Sequence, residues 1–217
     1  LKPALVIGNR NYSTWSLRPW LFLRHYGVEF DEIRLPLDTD EFRSRIDGFT
    51  PAGRVPVLLH GDLRVWESLA ICEYANDTFA AGRGWPEDPA ARAEARAVSC
   101  EMHAGFAALR SELPMNCRAL GRKVTPSAAA RRDIDRIVAI WNGARLRYGS
   151  GGPWLYGRFC VADAMFAPVV SRFRTYDIRI DGAAADWADS ILTHPGMRAW
   201  TDAARHEPEV IEADEAG

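Results

Sequence analysis

The chain has 217 residues, 47% of them hydrophobic and 26% charged, which suits one large domain or two small ones of ordinary soluble composition. A net charge of −2 offers no basic face for nucleic acid or an acidic membrane surface, and no apolar run approaches the length of a membrane span. Cys72, Cys100, Cys117 and Cys160 form no CxxC pair and no zinc-ligand spacing with histidine, so neither a metal nor a disulfide framework is expected, and a reduced, cytoplasmic setting is.

The opening residues read as a strand, Leu5-Val6-Ile7, rather than a signal peptide. Trp15 to Tyr26 carries helical spacing, tolerates Pro19 in its early turns and is stopped by Gly27. Phe30 to Leu35 alternates as a second strand, and Glu41 to Phe49 is a short charged helix. Val57-Leu58-Leu59 and Leu63-Arg64-Val65 flank the turn His60-Gly61-Asp62 as a hairpin. Ser68 to Phe79 is a helix. The order is β-α-β-α-β-β-α, a parallel crossover followed by an antiparallel hairpin. From Ala80 to Pro89 the composition is that of a linker. Beyond it only helices compete: Pro89 to Leu113 with Ala97, Cys100 and His103 on its apolar side, Ala128 to Tyr148, a strongly apolar Val161 to Phe173, and shorter ones near Trp187 to Leu192 and Gly196 to His206. The acidic tail from Glu207 to Gly217 is expected to fray.

Two local devices point to a ligand. Val55-Pro56, between the turn Pro51-Ala52-Gly53 and an apolar strand, is a place for a cis peptide bond. A cis bond there would turn the Val55 N–H and C=O outward to pair with an extended peptide. Glu67-Ser68 opens a helix, and free N–H groups at a helix N-terminus hold anions. One device pairs a peptide backbone and the next holds a carboxylate.

In that order, Arg54-Val55-Pro56 and Glu67-Ser68 resemble the glutathione-binding signature of the cytosolic glutathione S-transferase family. Trp85-Pro86-Glu87-Asp88-Pro89 looks like the family's linker. Gly157 to Ala164 looks like its folding motif, with Cys160 where the family usually has Ser or Thr. The resemblance covers nearly the whole chain. It implies a thioredoxin-like domain over residues 1–79, a linker over 80–89 and an all-helical domain over 90–217. It further implies that Val55 and Pro56 meet the cysteinyl part of glutathione, that Glu67 and Ser68 hold its γ-glutamyl end, and that Arg54 lies near the tripeptide.

The catalytic group is expected between the first strand and first helix. A thiol with a pKa of ~8.5 is only a few per cent ionised at neutral pH, and a hydroxyl donor beside a helix N-terminus lowers that value. Tyr12, Ser13, Thr14 and Ser16 are all within reach by sequence. The segment resembles the bacterial serine-type members, zeta- and theta-like. Matching Arg18 to their basic residue in the first helical turn places Ser13 at the catalytic serine, with Ser16 and Tyr12 as the other candidates; Trp15 stands where the zeta pattern has Cys. No cysteine lies between Asn9 and Trp20, so a mixed disulfide with glutathione at the usual place is not expected. His103, Phe106, Arg110 and Met115 fall where the family's second-substrate pocket lies. Arg172, Phe173, Arg174 and Tyr176 form a basic-aromatic group, either a solvated helix end or a sign of an anionic substrate.

The resemblance therefore implies a cytoplasmic, homodimeric glutathione transferase that adds glutathione as a thiolate to an electrophilic small molecule, with no metal and no nucleic-acid or membrane partner. Two alternatives stand beside it: a glutathione-dependent isomerase like maleylacetoacetate isomerase, and a non-catalytic partner-binding relative. The electrophile and the choice among four hydroxyls are not fixed by the sequence.

Overall fold

The first third of the chain is organised by a four-stranded sheet in the order β2-β1-β3-β4; the structure, a computed structural model, describes residues 1–217. β1 (Ala4–Ile7) pairs in parallel with β2 (Asp31–Arg34) and antiparallel with β3 (Val57–His60), which turns at Gly61 into antiparallel β4 (Leu63–Trp66). Leu5, Val6 and Ile7 are fully buried, the continuous apolar run expected of a central strand. The parallel pair requires a crossover, supplied by α1 (Thr14–His25). That helix ends where Gly27 takes a φ of +67°, a conformation that costs glycine nothing. α2 (Asp40–Arg45) and α3 (Ser68–Thr78) complete a thioredoxin-like unit.

The remainder is helical: α4 (Pro89–Ala104), α5 (Ala107–Glu112), α6 (Ala128–Tyr148), α7 (Val161–Thr175), α8 (Ala183–Thr193) and α9 (Pro195–Arg205). α7 is central, buried at nearly every position, and packs against α1, α3, α4 and α8. Its Asp163 is fully buried. Asp163 Oδ2 accepts from the Cys160 N–H at 2.8 Å, and Oδ1 accepts from the Leu155 N–H at 3.0 Å and the Trp187 Nε1–H at 2.7 Å. The main apolar core runs through both halves, from Leu17 and Leu21 of α1 to Phe166 of α7, Trp187 of α8 and Trp200 of α9.

Three expectations are corrected. The helix read from Pro89 to Leu113 is broken at Gly105-Phe106, where Phe106 adopts a left-handed φ of 61°. Arg110 holds the break, donating from Nε to Gly105 O at 2.9 Å and from Nη2 to Met102 O. The buried face of α4 is Ala91, Ala95, Val98, Ser99 and Met102, while Cys100 is exposed. The tail is not frayed either. Its carboxylates meet Arg10, Arg34, Arg118 and Arg122, and Glu207 is only 8% exposed. Charge complementarity with distant arginines holds a segment whose composition alone reads as solvated.

Candidate active site

A cleft opens beside the sheet, lined by Trp15 from α1, Ala52, Arg54, Val55 and Pro56 from the segment before β3, Trp66 at the end of β4, and Glu67 and Ser68 at the start of α3. All five expected binding residues meet here. The Val55–Pro56 bond is cis, and the N–H and C=O of Val55 have no partner in the chain. Glu67 is held at a φ of 69°. For a residue with a side chain this costs on the order of 1–3 kcal/mol, and such residues concentrate at functional sites. Glu67 caps α3 without a side-chain bond, which leaves the amides of the first turn uncapped. Ser68 is fully buried, and its Oγ has no hydrogen-bond partner. Arg54 is exposed on the rim.

The structure separates the candidate hydroxyls. Ser13 is the N-cap of α1: its Oγ accepts from the Ser16 N–H at 3.3 Å and donates to Ser16 Oγ at 2.7 Å. Ser16 Oγ is fully buried under the end of β1 and also accepts from the Gly8 N–H at 3.1 Å, so it supports Ser13 rather than facing a ligand. The Tyr12 hydroxyl is committed elsewhere. It donates to Glu215 Oε1 at 2.6 Å and accepts from Arg118 Nη2 at 2.7 Å; burial, reinforced by Glu215, pushes its pKa up. Ser16 and Tyr12, the other two expected candidates, thus have their hydroxyls committed within the chain. Thr14, the first residue of α1, is nearly buried and its hydroxyl makes no hydrogen bond.

Trp15 is the centre of a cationic group. Arg18 lies over its ring at 4.3 Å and Arg110 at 4.8 Å, with the His103 ring edge-on at 5.2 Å. His103 Nε2 is 3.4 Å from Glu67 Oε2, which links α4 to the cleft. Burial, then the charge of Arg18, lowers the His103 pKa, so the ring is neutral near pH 7. Phe106 and Met115 are core residues. The expected Arg172-to-Tyr176 group is divided: Phe173 is in the core, Arg174 is exposed, and Arg172 and Tyr176 donate to the carbonyls of Leu113 and Pro114.

Sequence reasoning missed the support behind this loop. Glu207 receives the Arg10 N–H at 3.0 Å and the Asn11 N–H at 3.2 Å, while Asn11 is also bonded to Asn116, Cys117 and Arg118. The only local signal was the acidic tail itself.

Residues 12–78 match the model of the glutathione S-transferase N-terminal domain. A probable maleylacetoacetate isomerase of Caenorhabditis elegans is 32% identical over 110 residues, 51% of this chain and 50% of that protein. A dichloromethane dehalogenase of Methylorubrum extorquens is 38% identical over 69 residues, 30% of this chain and 23% of that protein. These matches span half or less of the length of the curated relatives. Among solved structures, a glutathione transferase homolog from Burkholderia (BGR1) with bound glutathione superposes with a TM-score of 0.71 at 19% identity, covering 95% of this chain and 100% of the other. Residues 12–78 thus form a glutathione S-transferase N-terminal domain, and the chain as a whole shares the fold of that solved transferase homolog.

Proposed function

We propose that this protein is a glutathione transferase that binds glutathione as a thiolate and adds it to an electrophilic small molecule. One observation carries the proposal: a single cleft joins the unpartnered Val55 backbone, beside its cis bond, to the unpartnered buried Ser68 Oγ at a helix N-terminus. The first offers an N–H and a C=O to a peptide. The second offers a hydroxyl and free amides to a carboxylate, with Glu67 beside them for an ammonium. Glutathione carries all three groups in that order.

In this mechanism the Ser13 hydroxyl turns its hydrogen from Ser16 to the glutathione sulfur. Together with the positive end of α1, it favours the thiolate over the thiol, and the thiol proton passes to solvent. The sulfur then forms a bond to the electrophilic carbon, and a leaving group departs with the electron pair of the bond that breaks. Holding the two reactants together removes much of the entropic barrier. The free state of all four cysteines supports a cytoplasmic setting. The exposure of Leu63 and Trp66 on edge strand β4 supports a two-fold dimer that would cover them.

A second reading is supported by the relative named maleylacetoacetate isomerase. The same thiolate would add to a double bond, permit rotation and leave, so that glutathione is not consumed.

The test is the ultraviolet difference signal of bound thiolate as a function of pH, in wild type and in Ser13→Ala and Thr14→Val. A bound thiol with a pKa below ~8.5, raised in Ser13→Ala and unchanged in Thr14→Val, supports the proposal. Binding without a thiolate signal would favour a non-catalytic relative, and the reverse order of the two variants would move the role to Thr14.

A further inference from the structure

Nine buried side-chain polar atoms in the protein have no hydrogen-bond partner, and four of them gather around Trp15: Arg18 Nη1 and Nη2, His103 Nδ1 and Ser68 Oγ. Ser68 belongs to the glutathione cleft. The other three are donors or potential donors on α1 and α4, and they need a separate explanation. Buried polar groups are almost always satisfied, and an unpaired buried charge costs several kcal/mol.

Arg18 is the extreme case. It is fully buried, and only its Nε is engaged, to Met165 O of α7 at 3.2 Å. The charges nearest to it make matters worse: Arg110 and Arg172 both act against its positive charge. None of the three arginines is in a salt bridge. Arg172 is spent on the carbonyls of Leu113 and Arg110, and the Nε and Nη2 of Arg110 on those of Gly105 and Met102. Glu67, which lines the cleft together with Trp15, faces His103. The result is a buried positive charge with both terminal nitrogens free, beside a second guanidinium on the same aromatic ring.

We infer that Arg18 and Arg110, around Trp15, form the anion-binding part of the second-substrate site, and that the electrophile is a small organic anion such as a carboxylate. The inference rests on the glutathione reading above. Position decides against glutathione's own carboxylates as the occupant. The γ-glutamyl end is provided for at Glu67 and Ser68, and the cationic groups come from α1, α4, α5 and α7 rather than from the segments at 52–56 and 67–68. A carboxylate accepts from Arg18 Nη1 and Nη2 as a fork, with the Arg110 charge beside it. The neutral His103 contributes one further donor if its proton is on Nδ1.

The experiment compares two electrophiles of opposite charge state at one substituent, a chloronitrobenzoate anion and its neutral methyl ester. In both, the glutathione sulfur forms a bond to the ring carbon while the carbon–chlorine bond breaks and chloride leaves with the electron pair. The quantity read is the ratio of kcat/KM for acid over ester, each corrected for the uncatalysed rate. This ratio is independent of the fraction of enzyme that is correctly folded, which matters because Arg110 also holds the α4–α5 break. Wild type is expected to favour the acid. Arg110→Gln is expected to lower the ratio about tenfold or more, the effect of one lost charge-assisted interaction, and Arg110→Lys, which keeps the charge, to retain most of it. A wild-type ratio at or below one overturns the inference. So does an Arg110→Gln variant that slows acid and ester equally, since the arginine would then serve the thiolate. Glutathione titration calorimetry on wild type separates the two levels. Glutathione binding with ester turnover but no charge preference sinks this inference alone, whereas no glutathione binding and no turnover of either electrophile sinks the reading on which it rests.

Discussion

Replacing Glu207 with alanine tests whether the C-terminal strap holds the loop that precedes Ser13. The carboxylate is 8% exposed, and its two oxygens accept from the consecutive Arg10 and Asn11 N–H groups at 3.0 and 3.2 Å. It also lies 3.6 Å from the Arg10 guanidinium and 3.9 Å from that of Arg34. A hydrogen bond to a charged group is worth roughly 1.5–3 kcal/mol net. The two bonds share one carboxylate, so they do not add in full, and water can reach the half-buried Arg10 but not the fully buried Asn11. The expected loss is about 2–4 kcal/mol. In a chain of this size each kcal/mol shifts Tm by roughly 2–4 °C, so Glu207→Ala should melt roughly 5–15 °C lower. Glu207→Gln, which keeps an acceptor and loses the charge, should fall between the two. Circular dichroism melting gives the first readout. Hydrogen exchange at the Arg10 and Asn11 amides, which should lose protection selectively, gives the second. An unchanged Tm with unchanged exchange at those two amides would refute the argument and return the tail to solvent.

Two further outcomes follow from buried groups away from the cleft. Cys160 caps α7 with a thiol, a weak acceptor, while the Asp163 half of the box is made at 2.8 Å; Cys160→Ser supplies the better acceptor and should stabilise by ~1 kcal/mol, read as a higher Tm, and an unchanged or lower Tm would count against a capping role. His194 Nδ1 accepts from the Gly196 N–H, which places its proton on Nε2, where it is shared with His25 Nδ1 at 3.0 Å. Burial, then His194 and Arg83, lowers the His25 pKa to about 4, and burial lowers that of His194. Both folded values lie below the ordinary ~6.5, so the unfolded chain takes up protons first. Stability is therefore whole above pH 6.5 and declines as the pH falls toward 4. Urea unfolding at pH 7 and pH 5 should show this slope, and His25→Gln should flatten it; an equal slope in the variant would place the titration elsewhere.

What could be read from the sequence is what local chemistry decides. The run Leu5-Val6-Ile7, the turn at Gly61 and the capped, periodic helix from Ala128 to Tyr148 behave as their neighbours in sequence dictate. The cleft's backbone devices belong to the same class: Val55-Pro56 and Glu67-Ser68 are each set by two adjacent residues. The break at Gly105-Phe106 was not legible, because an isolated glycine is tolerated in a helix and the left-handed Phe106 is held by carbonyl bonds from Arg110. The partners of the candidate hydroxyls were not legible for a similar reason. Tyr12 is removed from the cleft by Glu215, 203 positions away, and Glu207 reaches Arg10 across 197. No periodicity registers contacts at that separation.

The two kinds of information divide the site in a way that bears on how it works. The proposed glutathione side is built from backbone within a single unit of sheet and helix. The loop that carries the candidate hydroxyls is held from behind by the helical half. Asn11 O accepts from the Cys117 N–H at 3.2 Å, Asn11 Oδ1 accepts from the Arg118 N–H at 2.9 Å, and Arg10 O accepts from the Trp200 indole at 2.8 Å. Arg18, one turn into α1, is fixed to α7 through Met165 O. A fragment restricted to the sheet unit would thus keep the peptide-pairing edge and the N-terminus of α3. It would lose the anchors that set the direction of Ser13 and enclose Arg18. On this geometry, tripeptide binding can outlast damage to the helical half, while thiolate activation and selection of the second substrate cannot.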